Sequence, residues 1–169
     1  MYYPVKDKLS VENPNKLYFS VYAAAVLLYL LRRQRDAFGL TIYSENTELH
    51  TEAKSNSVHH KFLINELEKL LVPFRPDNLK KTISTKILHE IAEKIHKRSL
   101  VILFSDMLET DNNINDVFSA LQHLRYNKHE VILFHVADNL KEFNLEFDNR
   151  PMKFVDMETN KEVKIYPHE

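Results

Sequence analysis

Ser99-Leu100-Val101-Ile102-Leu103-Phe104-Ser105-Asp106 is the stretch that decides the fold. Five consecutive large apolar residues, two of them β-branched, read as a strand buried on both faces. Strands of that kind belong to parallel sheets with helices on either side. The run stops at Ser105-Asp106, a hydroxyl and a carboxylate at the strand's carboxyl end. In open α/β sheets that end is where ligands bind. Glu130 to Val136 reads as a second fully buried strand of the same type.

Upstream, Asn13-Pro14 reads as an N-cap followed by a first-turn proline. Leu17, Val21, Ala24, Leu28 and Leu31 then repeat at helical spacing, with Ala23, Leu27 and Leu30 beside them. A helix apolar on so much of its circumference is expected to be buried. Arg32, Arg33 and Arg35 close it, cations suited to the carboxyl end of the dipole. Gly39 opens a strand over Leu40 to Ser44, and Thr47 to Thr51 returns antiparallel at the sheet edge. A second helix runs from about His59 until Pro73 and Pro76 end it. A third follows Thr82, with Ile83, Ile87, Leu88, Ile91 and Ile95 inward.

Downstream of the quoted strand, Asn112-Asn113 precedes a fourth helix whose stripe is Ile114, Val117, Phe118, Leu121 and Leu124. Asn127 takes the left-handed closing position that glycine usually fills. Met152 to Met157 and Lys161 to Tyr166 read as a hairpin turning near Thr159-Asn160. Strand and helix alternate, which argues one three-layer α/β sandwich over residues 1–169, its sheet mostly parallel and covered by helices on both faces. The series nevertheless opens on a helix, where a parallel α/β domain starts with a strand.

Composition excludes more than it assigns. A 44% hydrophobic share and 28% charged residues describe an ordinary soluble globular chain. The formal charge of −1, from 23 basic and 24 acidic side chains, gives no global field for nucleic acid or anionic lipid. The apolar run from Val21 to Leu31 is too short to span a bilayer. Zero cysteines exclude thiolate metal sites and suit a reducing, cytoplasmic setting. A single glycine removes the dinucleotide fingerprint, the P-loop and the nucleophile elbow together.

Ser105 and Asp106 are candidate metal or phosphate contacts; the plain alternative is that Asp106 caps the loop after it through backbone amides. For Thr82 the plain alternative is a helix N-cap. The nine histidines show no ligand spacing and read as scattered surface groups. His135 alternates with Leu133 and Val131 near a strand end; it is either a group facing the site or, by preference, a hydrogen-bonded core histidine.

Lys16 with the Ala-rich helix after it, then Gln34-Arg35-Asp36-Ala37-Phe38-Gly39-Leu40, resembles the bacterial domain-of-unknown-function-58 proteins. So do Leu100 to Asp106, Glu130 to Asp138 and Phe154-Val155-Asp156-Met157-Glu158-Thr159. The resemblance implies a von Willebrand factor A-like fold. In that fold a divalent cation, usually magnesium, is held by an Asp-x-Ser-x-Ser loop after the first strand, a threonine and a later aspartate. The aspartate falls on Asp106, with Ser105 beside it, and the threonine on Thr82, with Thr85 as fallback.

The Asp-x-Ser-x-Ser loop has no counterpart, and Met1 stands where the residue after it would be. The chain therefore reads as a domain entered just after its first strand, truncated at its amino end. In the family that strand is central, between the Leu40 strand and the Leu100 strand. Its loss is worth about 5–10 kcal/mol of ladder hydrogen bonds, so compensation is expected. Met1 to Lys6 slides into the gap, the two neighbours close up, or another chain supplies a strand, giving a homodimer. With three of five ligand residues absent, no cofactor is expected in this chain, and Mg²⁺ only in a full-length parent.

Two functions compete. The first is a non-catalytic interaction module that grips a protein through the carboxyl edge of the sheet; the resemblance implies MoxR-type AAA+ ATPases as the partner class. The alternative is a metal-assisted phosphohydrolase or nucleotide-binding α/β protein using Asp106, although neither an aspartate-bearing first strand nor a glycine loop is present.

Overall fold

The computed structural model describes residues 1, 9–44, 46–71, 84–106, 114–144, 146–147, 150–155 and 162–165. Four helices and six strands occupy them: α1 (Lys16–Gln34), β1 (Thr41–Tyr43), β2 (Thr47–His50), α2 (Ser57–Lys69), α3 (Ser84–Lys94), β3 (Leu100–Ser105), α4 (Ile114–Tyr126), β4 (Glu130–His135), β5 (Met152–Val155) and β6 (Glu162–Ile165). A five-residue π turn, Asn139–Phe143, follows β4. Thr82, Ile83, the prolines at 73 and 76, residues 2–6 and the Thr159-Asn160 turn lie outside the described residues.

Helices and strands are mixed, as expected, but the sheet is not one sheet. Among the described residues the strands form three separate pairs. β3 and β4 are parallel and in register from Leu100 opposite Glu130 to Ser105 opposite His135. β1–β2 and β5–β6 are antiparallel hairpins, so the expected mostly parallel sheet is reduced to its central pair. The neighbours have not closed up: β1 and β3 belong to different sheets.

Burial departs from the reading of β3 and β4 as strands covered on both faces. Only Leu103 of β3 is buried, while Ile132 and Phe134 of β4 are 45% and 43% exposed. The cause is local. One face is covered by α3 and α4, where Leu88, Ala92, Ala120 and Leu124 enclose Leu103, with Val101, Val131 and Tyr43 against them. On the other face, Phe104 and Phe134 stack with ring centroids 5.0 Å apart and line an apolar groove of about 280 Å³. Phe19, Ala23, Val26 and Leu27 of α1 form its far wall. α1 is accordingly half open, with Val26 56% exposed, because its buried stripe packs on α2 instead. Val21, Leu28, Phe38, Leu63 and Leu67 make that second core.

Helix ends differ by small shifts with clear reasons. The cap of α1 is Asn15, not Asn13, since the Asn15 Oδ1 accepts the Tyr18 N–H at 2.7 Å. Asn56 caps α2 in the same way through His59. The left-handed residue after α4 is Lys128, at φ 65°, rather than Asn127. Asn127 instead donates its side-chain amide to the Ala92 carbonyl at 3.0 Å, tying α4 to α3. The one glycine sits where the chain entering β1 passes the chain leaving β2. A Cβ at Gly39 would lie 2.6 Å from the Thr51 carbonyl oxygen.

Candidate functional site

Three segments meet at the carboxyl end of β3. The ladder runs out there with the Val136 N–H donating to the Ser105 carbonyl at 2.8 Å, and Asp106 is the next residue. The first residue of α1, Lys16, comes in from the side. Asn15 fixes the start of that helix, the Ser20 hydroxyl donates to the Lys16 carbonyl at 2.8 Å, and the Leu17 N–H donates to the Met1 carbonyl at 2.8 Å. The third segment is the π turn, opened by Asp138, whose carboxylate accepts the Lys141 N–H.

Lys16 is only 3% exposed, and its ammonium lies 3.3 Å from Asp106 Oδ2 and 2.7 Å from Glu142 Oε1. The other oxygen of Glu142 accepts the Asp138 N–H at 2.8 Å. The Met1 amino group stands 3.0 Å from Asp106 Oδ2. His135 Nε2 lies 3.2 Å from the Asp106 carbonyl oxygen, so His135 is an exposed group at the site rather than a core histidine. Burial pushes the Asp106 carboxyl up, but the Met1 and Lys16 ammonium groups outweigh it and hold it below its ordinary value.

Of the sequence-predicted ligands, Ser105 and Asp106 stand at the strand end and Thr82 lies outside the described residues. The described donors do not fit a magnesium ion. Magnesium needs six oxygens at about 2.1 Å in an octahedron. Asp106 Oδ2 already faces two ammonium nitrogens within 3.3 Å. A divalent ion bound about 4 Å from one ammonium would be repelled by on the order of 8 kcal/mol at an effective dielectric of 20. Among the described residues no three His, Asp or Glu side chains are gathered as a metal cage.

Reasoning from sequence overlooked Lys16 and Glu142 as site residues. A signal for Lys16 existed. It is the only charge in α1 before Arg32, at an amino terminus where the dipole disfavours a cation and the first turn holds no acid. Such a lysine implies a carboxylate brought from elsewhere. Glu142 carried no signal, because a π turn has no apolar period. A second polar contact was equally invisible: His89 and His123 approach through their Nδ1 atoms at 2.9 Å, and His123 Nε2 lies 2.9 Å from Glu93. His60 and His129 are buried, against the expectation of surface groups. His60 packs edge-on to Phe38, and the His129 Nδ1 is 3.3 Å from the Ser99 N–H.

Comparisons with curated proteins and with solved structures return no match. A family profile described as "Protein of unknown function DUF58" matches residues 6–168, nearly the whole chain. The chain belongs to the DUF58 family.

Proposed function

We propose that this protein is a non-catalytic, cytoplasmic interaction module with a von Willebrand factor A-like three-layer fold, and that it grips a protein partner beside the carboxyl edge of β3 and β4. The layering has support in the packing. α3 and α4 cover the Leu103 face of the parallel pair, and α1 stands across the groove from the Phe104 face. Successive strand residues point to opposite faces, so helices flank both.

The observation that carries the interaction reading is apolar surface left in solvent next to that edge. Phe19 and Val26 on α1 and Ile132 and Phe134 on β4 are all exposed. Contiguous apolar patches of this kind mark protein docking sites. The partner class is a MoxR-type AAA+ ATPase, and strand completion by a second copy belongs between β1 and β3, which lie in separate sheets. A phosphohydrolase would need the Asp106 carboxylate for a metal or a phosphoryl group, and its ion pairs compete with both.

Interferometry with the immobilised chain and a purified MoxR-type ATPase tests this. Asp106→Ala and Phe134→Asp are each expected to weaken capture by about tenfold or more, and Glu48→Lys on the β1–β2 hairpin to leave it unchanged. Equal affinity across the three variants, or no capture by the wild type, overturns the reading.

A further inference from the structure

The acidic corner at the end of β3 already holds a cation of its own. Lys16 is buried to 3% exposure, and two carboxylates face it from segments far apart in sequence. Asp106 comes from the end of β3 and Glu142 from the turn after β4. The carboxylates are themselves arranged for the task. Glu142 is pinned by the Asp138 N–H, and Asp106 follows directly on the last ladder residue of β3. Lys16 is equally fixed, one residue after the Asn15 cap. Nothing in the first turn of α1 offsets its charge, so the helix alone gives no reason for a cation there.

We infer that the Lys16 ammonium is the resident cation of this edge, organising Asp106 and Glu142 in the place where a divalent ion would have to sit. A partner docking here meets two carboxylates already neutralised and oriented by a side chain. Its binding is therefore indifferent to chelators and to the divalent-ion concentration. The inference stands apart from the choice of partner, since the experiments that decide it use none.

The first experiment is acetylation of the wild-type chain with an active ester, read lysine by lysine in peptide masses. Lys16 is expected to react about tenfold or more slowly than the exposed Lys69, at the same rate in millimolar Mg²⁺ as in EDTA. Asp106→Asn is expected to speed it. Reaction of Lys16 as fast as Lys69, or an acceleration by Mg²⁺, overturns the proposal, the latter because the metal would be displacing the ammonium. The second experiment titrates Mn²⁺ and follows it by electron paramagnetic resonance. Wild type and Lys16→Arg are expected to take up no ion at this edge. Lys16→Met, which leaves Glu142 without its cation and Asp106 with the Met1 amino group alone, is expected to gain about tenfold or more in Mn²⁺ affinity, and Lys16→Met/Asp106→Asn to lose that gain. Wild-type uptake abolished by Asp106→Asn, or a folded Lys16→Met with no gain, overturns it. Should Lys16→Met fail to fold, acetylation of the wild type still decides.

Discussion

A carboxyl held below its ordinary value of 3.8 makes stability depend on acid in a definite direction. Asp106 binds a proton less readily folded than unfolded, so its ion pairs contribute fully above that ordinary value. The contribution disappears as pH falls through the lower, folded value. Urea denaturation across the acid range is expected to show a steeper loss below about pH 4 in wild type than in Asp106→Asn. His60 makes the same argument nearer neutrality. Burial, and then the Arg32 charge beside it, lower its pKa from 6.5, and its buried Nε2 has no hydrogen-bond partner among the described residues. Stability is expected to fall as pH drops below 6.5 toward the folded value, and His60→Gln to flatten that slope. The two residues were unequally legible. Asp106 announces itself by standing at the end of an apolar strand, whereas the burial of His60 depends on Phe38, which arrives from a different element. A histidine's neighbours across the fold leave no trace in local sequence.

Elements were easier to find than their ends or their faces. Apolar periodicity located four helices and both antiparallel hairpins, because it is the physical cause of each. Their ends obey capping chemistry that several neighbouring residues can satisfy, and the chain chose Asn15 and Lys128 over Asn13 and Asn127. Asn15→Ala is expected to cost about 1 kcal/mol in chemical denaturation, since the Tyr18 N–H loses its acceptor. Lys128→Gly is expected to do the reverse. With φ at 65° and its N–H bonded to the Arg125 carbonyl at 2.9 Å, that position suits glycine, and the variant gains about 0.5–1 kcal/mol. A chain with a single glycine has placed basic residues, Arg35, Arg98 and Lys128, at left-handed positions instead. What the strands bury could not be read this way. Five apolar residues in a row state that a strand is able to be covered on both faces, while coverage itself depends on what α1 does nineteen residues at a time.

At the scale of the whole molecule, two cores have to be held together. One joins α1 to α2 around Leu63, the other joins α3 and α4 to β3 around Leu103, and the two share no buried residue. The apolar groove lies between α1 and the β3–β4 pair, and Tyr43 of β1 packs against the second core. Lys16 closes the boundary at the top, since it belongs to the first helix while both carboxylates belong to the β3–β4 half. Removing the ammonium therefore does two things that a surface charge cannot do. It takes from Glu142 its ionic partner and leaves Asp106 with the Met1 amino group alone, at a cost of about 2–3 kcal/mol given that water still reaches both carboxylates. It also removes a direct tie between the halves, so that each is freer to melt by itself. Calorimetry of Lys16→Met is expected to show a lower melting temperature together with a van't Hoff enthalpy below the calorimetric one, the mark of lost two-state behaviour. Lys69→Met, which breaks the exposed pair with Glu66, serves as the control and is expected to cost under about 1 kcal/mol with the enthalpy ratio unchanged. A Lys16→Met protein that melts in one transition with equal enthalpies would show that packing at Tyr43, not the ion triad, couples the two cores.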